Sequence, residues 1–232
     1  MAFVDIPDGS SGAVPGSEAG ARLVWYASYG SNTDPERLAC YLRGGRPVGA
    51  VRGQPGCRDP RPPARCAAVE LDGAVYFATE SAVWSGGRAF YDPDAGGRVL
   101  AKAYLVSVEQ FSDIAAQEMH RTPGGACLDL TEVLARGRSV LGQGRYETLV
   151  CAGRLDGLPV LTFTAPWGLR DVTSFNPPSA AYVRCLAAGL VSAGVWDVPA
   201  VAAYLAACPG AAGHWSAAAL TDLLDQAGPQ GS

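Results

Sequence analysis

Residues 25–45 read WYASYGSNTDPERLACYLRGG, and the order of residue types in this stretch decides the fold. The apolar run Leu23-Val24-Trp25, continued by Tyr26, fits a buried strand. Tyr29-Gly30-Ser31-Asn32 interrupts it with a small polar turn. Asp34 then caps orphan backbone N–H groups, Pro35 suits a first helical position and Glu36 favours the positive end of a helix. Leu38, Tyr41 and Leu42 share one face, and Gly44-Gly45 end the segment. The local order is strand, tight turn, helix. Such a turn aims several backbone N–H groups at one point, and the helix N-terminus adds its dipole. The turn is either an ordinary connection or a pocket for a carboxylate or phosphate, with Tyr29 and Asn32 adding a hydroxyl and an amide. It matches neither GxxxxGK[ST] nor GxGxxG.

Working outward, residues 1–21 are Gly, Ser, Ala, Pro and acid without periodicity, the pattern of a flexible leader. Residues 46–63 are dense in Pro, Gly and Arg and predict a long ordered loop. AAVELDGAVYFATE predicts a hairpin turning at Asp72-Gly73, and SAVWSGGRAFYDPDAGG reads as loop with large aromatics. RVLAKAYLVS predicts a strand. SVEQFSDIAAQEMHR predicts a helix capped by Ser107 or Ser112. After a variable segment to about Gly144, YETLVCAGRLDGLPVLTFTA predicts a second hairpin at Asp156-Gly157. The tail holds two Ala-rich amphipathic helices, SAAYVRCLAAGLVSAG and DVPAVAAYLAAC. The sum is an α+β domain over 22–175, with helices of 176–232 packed on the same domain.

Composition narrows the function. The 232 residues carry 18 Lys+Arg against 22 Asp+Glu, a net charge of −4, with the cations scattered. Nucleic-acid binding needs clustered positive charge, so no such partner is expected. Seven cysteines without a CxxC pair read as reduced thiols in a cytoplasmic protein. Two isolated histidines, His120 and His214, leave no metal-ligand spacing. No apolar run approaches the ~20 residues of a membrane span, and no basic-then-apolar signal opens the chain.

Tyr29-Gly30-Ser31-Asn32, ending a first strand before a helix, resembles the YGSN loop of the γ-glutamyl cyclotransferase-like superfamily. That superfamily also has a strand leading into a helix ending Leu-Asp-x-x-Glu-Gly, and VLAKAYLVSVEQFSDIAAQEM has the same build. Here Ile114-Ala115-Ala116-Gln117-Glu118 places Glu118 on the family's Glu, with Ala115 for its Asp and Met119 for its Gly. The resemblance spans roughly Leu23 to Thr164. It implies an α+β fold with a mixed β-barrel, surrounding helices and a C-terminal helical extension. It also implies an enzyme without metal or cofactor that cleaves a γ-glutamyl amide. The substrate's own α-amine attacks its γ-carbonyl and releases 5-oxoproline and a free amine. The loop of Tyr29, Gly30, Ser31 and Asn32 would hold the α-carboxylate, and Glu118 would be the general acid/base. The chain is also similar to bacterial proteins of this fold catalogued as histone deacetylases, but a metal deacetylase needs a His/Asp ligand set that two lone histidines do not offer.

Other candidates come from the residues themselves. Tyr146 is a donor to substrate or a core strand tyrosine, and Arg52 and Arg58 bind a distal acid or serve loop solubility. Glu80 is a second acid at a strand end, while His120 is a solvent or supporting residue. Cys57 beside Arg58 is the best-placed thiol, yet no His stands near it in sequence. Trp84, Phe90, Tyr91 and Trp167 predict an aromatic pocket for a leaving amine bulkier than a dipeptide, as in specialised metabolism. Two other readings stay open. One is an amide hydrolase, acyl-transfer or lactam-forming enzyme on a non-glutamyl substrate; the other is a non-catalytic anion-binding module.

Overall fold

A computed structural model describes residues 2–3, 22–47 and 53–225. A two-residue strand β1 (Ala2–Phe3) precedes β2 (Leu23–Ser28), a short 3-10 turn at Ser31–Thr33 and α1 (Pro35–Arg43). Then come β3 (Arg65–Asp72), β4 (Ala74–Ala78), β5 (Arg88–Asp92), β6 (Arg98–Ser107) and α2 (Val108–Glu118). The chain continues through α3 (Thr131–Arg136), β7 (Arg138–Val140), β8 (Thr148–Leu155) and β9 (Leu158–Thr164). It ends in α4 (Ala180–Val191), α5 (Val198–Ala207) and α6 (Ala217–Asp225). The fold is mixed α+β. The reading of 1–21 as a leader falls, apart from Ala2–Phe3, outside the described residues.

Seven strands form one sheet in the order β1-β3-β6-β2-β9-β8-β7. The β1–β3 and β2–β9 pairs are parallel and the rest antiparallel. Among the described residues this sheet has two ends, so its hydrogen bonds do not close the expected barrel. The period of two in β2 sorts its side chains between two cores. Val24 and Tyr26 join Leu38, Leu42, Phe111 and Ile114 under α1 and α2. Trp25 and Ala27 join Val183, Leu186 and Leu190 of α4, with Val201 and Leu205 of α5. Trp25 is fully buried, as is Phe111. Each such side chain contributes about 1.5–3 kcal/mol of hydrophobic stabilisation.

Local chemistry explains the boundaries. Asp34 Oδ1 accepts from the backbone N–H groups of Glu36 (2.9 Å) and Arg37 (3.4 Å), which starts α1. Ser107 caps α2 in a reciprocal pair with Gln110, each bond 3.0 Å. Ser112, the other expected cap, instead donates to the Val108 carbonyl within the helix (2.7 Å). The β8–β9 hairpin turns at Asp156 (φ 50) and Gly157 (φ 76), the double positive φ of a type I′ turn.

The expected hairpin at Asp72-Gly73 does not form. All eight residues of β3 pair with β6, so β4 leaves the sheet and pairs with β5 in a separate two-stranded ribbon. Gly73 (φ 122) makes that exit, and a Cβ there would stand 2.8 Å from the Tyr91 ring. Thus β5, expected as loop, is a strand, and the variable segment before Gly144 holds α3 and β7. A third C-terminal helix, α6, joins the expected two.

Candidate active site

The chain leaves β2 at Ser28 and passes into the Tyr29–Thr33 turn, which packs against α4 and α1. Tyr29 is buried, and its hydroxyl donates to the Phe163 carbonyl of β9 (2.9 Å). Its hydroxyl proton is therefore spent on bracing the sheet. Thr33 N–H donates to Gly30 O (3.0 Å), and the Thr33 carbonyl accepts from Tyr104 Oη (2.9 Å). The N–H groups of Ser31 and Asn32 stand at the open start of the 3-10 turn, where no earlier carbonyl of the turn reaches them. From the other side α4 presses on the turn at Gly189. A Cβ there would lie 2.5 Å from Asp34 N and closer still to the Thr33 backbone.

Asn32 joins the turn to α2. Its Nδ2 donates to Glu118 Oε1 (3.1 Å) and to the Tyr26 hydroxyl (3.3 Å). The side chain is 2% exposed, and its Oδ1 has no partner among the described residues. An open buried acceptor costs about 1–3 kcal/mol, so this atom is a ready seat for a ligand N–H. Burial, and then the charge of Glu118, raises the pKa of the Tyr26 hydroxyl; the same two causes raise that of Tyr41. Both phenols therefore hold their protons.

Two connected cavities meet here. The inner one, about 40 Å³, is bounded by Ser28, Gly30, Asn32, Glu118, Tyr146 and Tyr182. The outer one, about 530 Å³, shares Ser31, Glu118, Tyr146 and Tyr182 with it. The outer volume is in the range of small-molecule sites, and the inner one suits the polar head of a ligand. Arg37 on α1, Trp84, Arg88, His120 and Arg145 complete the outer wall. Arg37 Nε donates to Ser31 Oγ (2.7 Å), and its guanidinium lies 4.9 Å from the Trp84 ring centre. Trp84 stacks on Tyr182 with ring centres 5.1 Å apart.

Of the residues singled out from sequence, Gly30, Ser31, Asn32, Tyr29, Tyr146 and Glu118 come together around the inner cavity. Tyr146 donates to the Ala89 carbonyl (3.3 Å). Arg52 lies outside the described residues. Arg58 is held by Asp113 (3.0 Å) and Glu109 (3.3 Å) and lines neither cavity. Glu80 accepts from Asn176 Nδ2 (2.7 Å) and also lines neither. Burial and the Asp113 charge push the Cys57 thiol up to about 12, far from a ready nucleophile. His120 follows α2 with a positive φ of 57 and meets Arg145 across 3.0 Å. Of the four expected pocket aromatics only Trp84 lines a cavity; Phe90 and Trp167 pack in a cluster of their own, and Tyr91 in the main core. Tyr26, Arg37, Tyr41, Arg88, Arg145 and Tyr182 were not singled out as site residues. Arg37 and Tyr41 carried a signal, because residues four apart share one helix face. Tyr182 carried none. Among the described residues no three His, Cys, Asp or Glu side chains converge as a metal's ligands would, and no helix is long and apolar enough to cross a membrane.

No family model matches the chain. Histone deacetylase 5 of Arabidopsis thaliana is 31% identical over 200 residues, which cover 78% of this chain and 30% of that protein. The chain thus spans under a third of the length of this curated relative. Two solved structures are distantly similar at 16% identity, each over 75% of this chain and 82% of the other. One is an uncharacterized protein from Homo sapiens, with a TM-score of 0.43; the other is titled gamma-glutamyl cyclotransferase, with a TM-score of 0.42.

Proposed function

We propose that this site cleaves a γ-glutamyl amide by cyclotransfer, releasing 5-oxoproline and an amine. The observation that carries the reading is the 3.1 Å contact between Asn32 and Glu118. It joins the Tyr29–Asn32 turn to a helix carboxylate from 86 residues away, at the floor of a cavity. In this reading the N–H groups of Ser31 and Asn32 hold the substrate's α-carboxylate. Asn32 Oδ1 and Glu118 accept from its α-ammonium, which satisfies the buried acceptor. The α-nitrogen then attacks the γ-carbonyl carbon, the ring closes and the bond to the departing nitrogen breaks. The α-ammonium loses two protons as the lactam forms, and the departing nitrogen gains two. Glu118 relays between them. The nucleophile is tethered, so orientation supplies much of the rate.

The test is mass spectrometry of the protein incubated with a panel of γ-glutamyl amides, beside Glu118→Gln. The expected result is 5-oxoproline from the wild type, reduced about a hundred- to ten-thousandfold in the variant, the usual share of a general acid/base. Thermal unfolding of both proteins checks that the variant is folded. Glutamate in place of 5-oxoproline would mean hydrolysis. Binding without turnover in either protein would leave a binding module.

A further inference from the structure

The outer cavity has a charge imbalance that the cyclotransfer reading does not use. Arg37, Arg88 and Arg145 all line it, and Glu118 is its one acid among the described residues. None of the three arginines makes an ion pair among those residues. Arg37 is 9% exposed, and its Nε is spent on Ser31, which leaves the Nη edge for another acceptor. Arg88 is half-buried; it donates to the Glu80 backbone carbonyl, and its Nε is buried without a partner. Arg145 sits in a loop fixed by Glu147, which accepts from Gly144 N (2.7 Å) and pairs with Arg121. It meets His120 Nε2 across 3.0 Å. Burial first, and then the charge of Arg145, lowers the pKa of the Arg88 guanidinium, so the two cations oppose each other.

Three guanidiniums without carboxylate partners among the described residues, around one cavity, are stable together when an anion is bound between them. Resting on the cyclotransfer reading, we infer that the amine released from this site carries at least two negative charges, as a phosphate ester or a dicarboxylate does. The γ-glutamyl head enters the inner cavity, and the doubly anionic amine lies against Arg37, Arg88 and Arg145. The Trp84–Tyr182 stack holds Arg37 in place for that contact. A cationic or neutral amine leaves the three charges unpaired and is selected against.

The experiment compares γ-glutamyl-aspartate, γ-glutamyl-phosphoethanolamine and γ-glutamyl-ethylamide with the wild type, Arg88→Gln and Arg145→Gln. Kinetics are read as kcat/KM, and affinity is read separately by calorimetry on Glu118→Gln. The dianionic substrates should exceed the ethylamide by about a hundredfold or more. Each arginine variant should cut that ratio about tenfold, the loss of one charge-assisted hydrogen bond. Raising the salt should shrink the ratio further. The two dianions separate a phosphate preference from a dicarboxylate one. Equal kcat/KM for all three would overturn the inference while leaving cyclotransfer intact. If nothing turns over, calorimetry decides: arginine-dependent binding of the dianions upholds the charge assignment without the reaction, and binding of no dianion above the ethylamide overturns it. Arg145 is half-exposed in a loop, so its variant keeps the test open should Arg88→Gln fail to fold.

Discussion

Gly189→Ala sets two familiar effects against each other. Gly189 is inside α4, where alanine is worth about 1 kcal/mol over glycine in helix propensity. On that ground alone the variant gains stability. The added Cβ, however, would lie 2.5 Å from Asp34 N and nearer still to Thr33 C and Oγ1. Ordinary carbon contacts are about 3.5–4.0 Å, so helix and turn must part by roughly 1 Å. Backbone stands on the far side and cannot rotate away as a side-chain tip would. Overpacking of this kind costs typically 1–3 kcal/mol, with rigid backbone contacts at the top of that range. The net expectation is a loss of about 2 kcal/mol, a fall in Tm of roughly 4–8 °C for a domain of this size. The displaced turn also carries Asn32 away from Glu118. Turnover should then fall about a hundredfold, the usual penalty for a 1 Å misplacement in a reacting geometry. Calorimetric unfolding and kcat/KM on one γ-glutamyl amide read both effects. A rise in Tm with turnover unchanged would refute the reasoning, because it would mean that α4 and the turn are not in contact.

Two further expectations concern the frame of the site. Asp113 is 2% exposed and accepts from Arg58 N (2.9 Å), Nε and Nη2, tying the 53–63 loop to α2. Asp113→Ala should lose about 2–3 kcal/mol, since it strips a charge-assisted pair from a partly wetted arginine. Arg61→Ala, whose pair with Asp59 is at the surface, should lose less than about 1 kcal/mol; denaturant midpoints compare the two. The second expectation is alkaline sensitivity. Burial pushes the thiols of Cys185 and Cys208 from 9.0 up to about 12. Between those values the folded protein keeps protons that the unfolded chain releases. The stability these groups give is therefore intact below about pH 9 and is lost as the pH rises toward 12, at up to about 1.4 kcal/mol per pH unit per group. Unfolding midpoints should hold from pH 8 to about 9 and fall from there to 11, and a flat profile would count against buried thiols.

The parts of the fold legible in the sequence are those fixed by local chemistry. Asp34-Pro35 and Ser107 with Gln110 mark helix starts through backbone N–H groups a few residues away, and Asp156-Gly157 marks a turn through its own dihedrals. Asp72-Gly73 has the same dipeptide and a different outcome. Which strand pairs with β3 was decided by β6, some thirty residues on, and no local signal reports that competition. The site divides in the same way. The Tyr29–Asn32 turn and Glu118 stood out through the family resemblance. The arginine wall did not, because Arg37, Arg88 and Arg145 come from three separate segments and each alone looks like a surface cation. Nor does composition betray that Tyr29 spends its hydroxyl on Phe163, since that bond spans 134 residues.

The pressure of α4 on the Thr33 turn has a consequence for how the protein is made. A ribosome delivers the turn first, Glu118 some ninety residues later, and Tyr182 and Gly189 more than sixty residues after that. Until α4 has emerged, the turn lacks the surface that holds it, and the inner cavity lacks a wall. A nascent chain that stops short of α4 would therefore carry the turn and Glu118 without the shape of the site, and chemistry would switch on only once α4 has emerged.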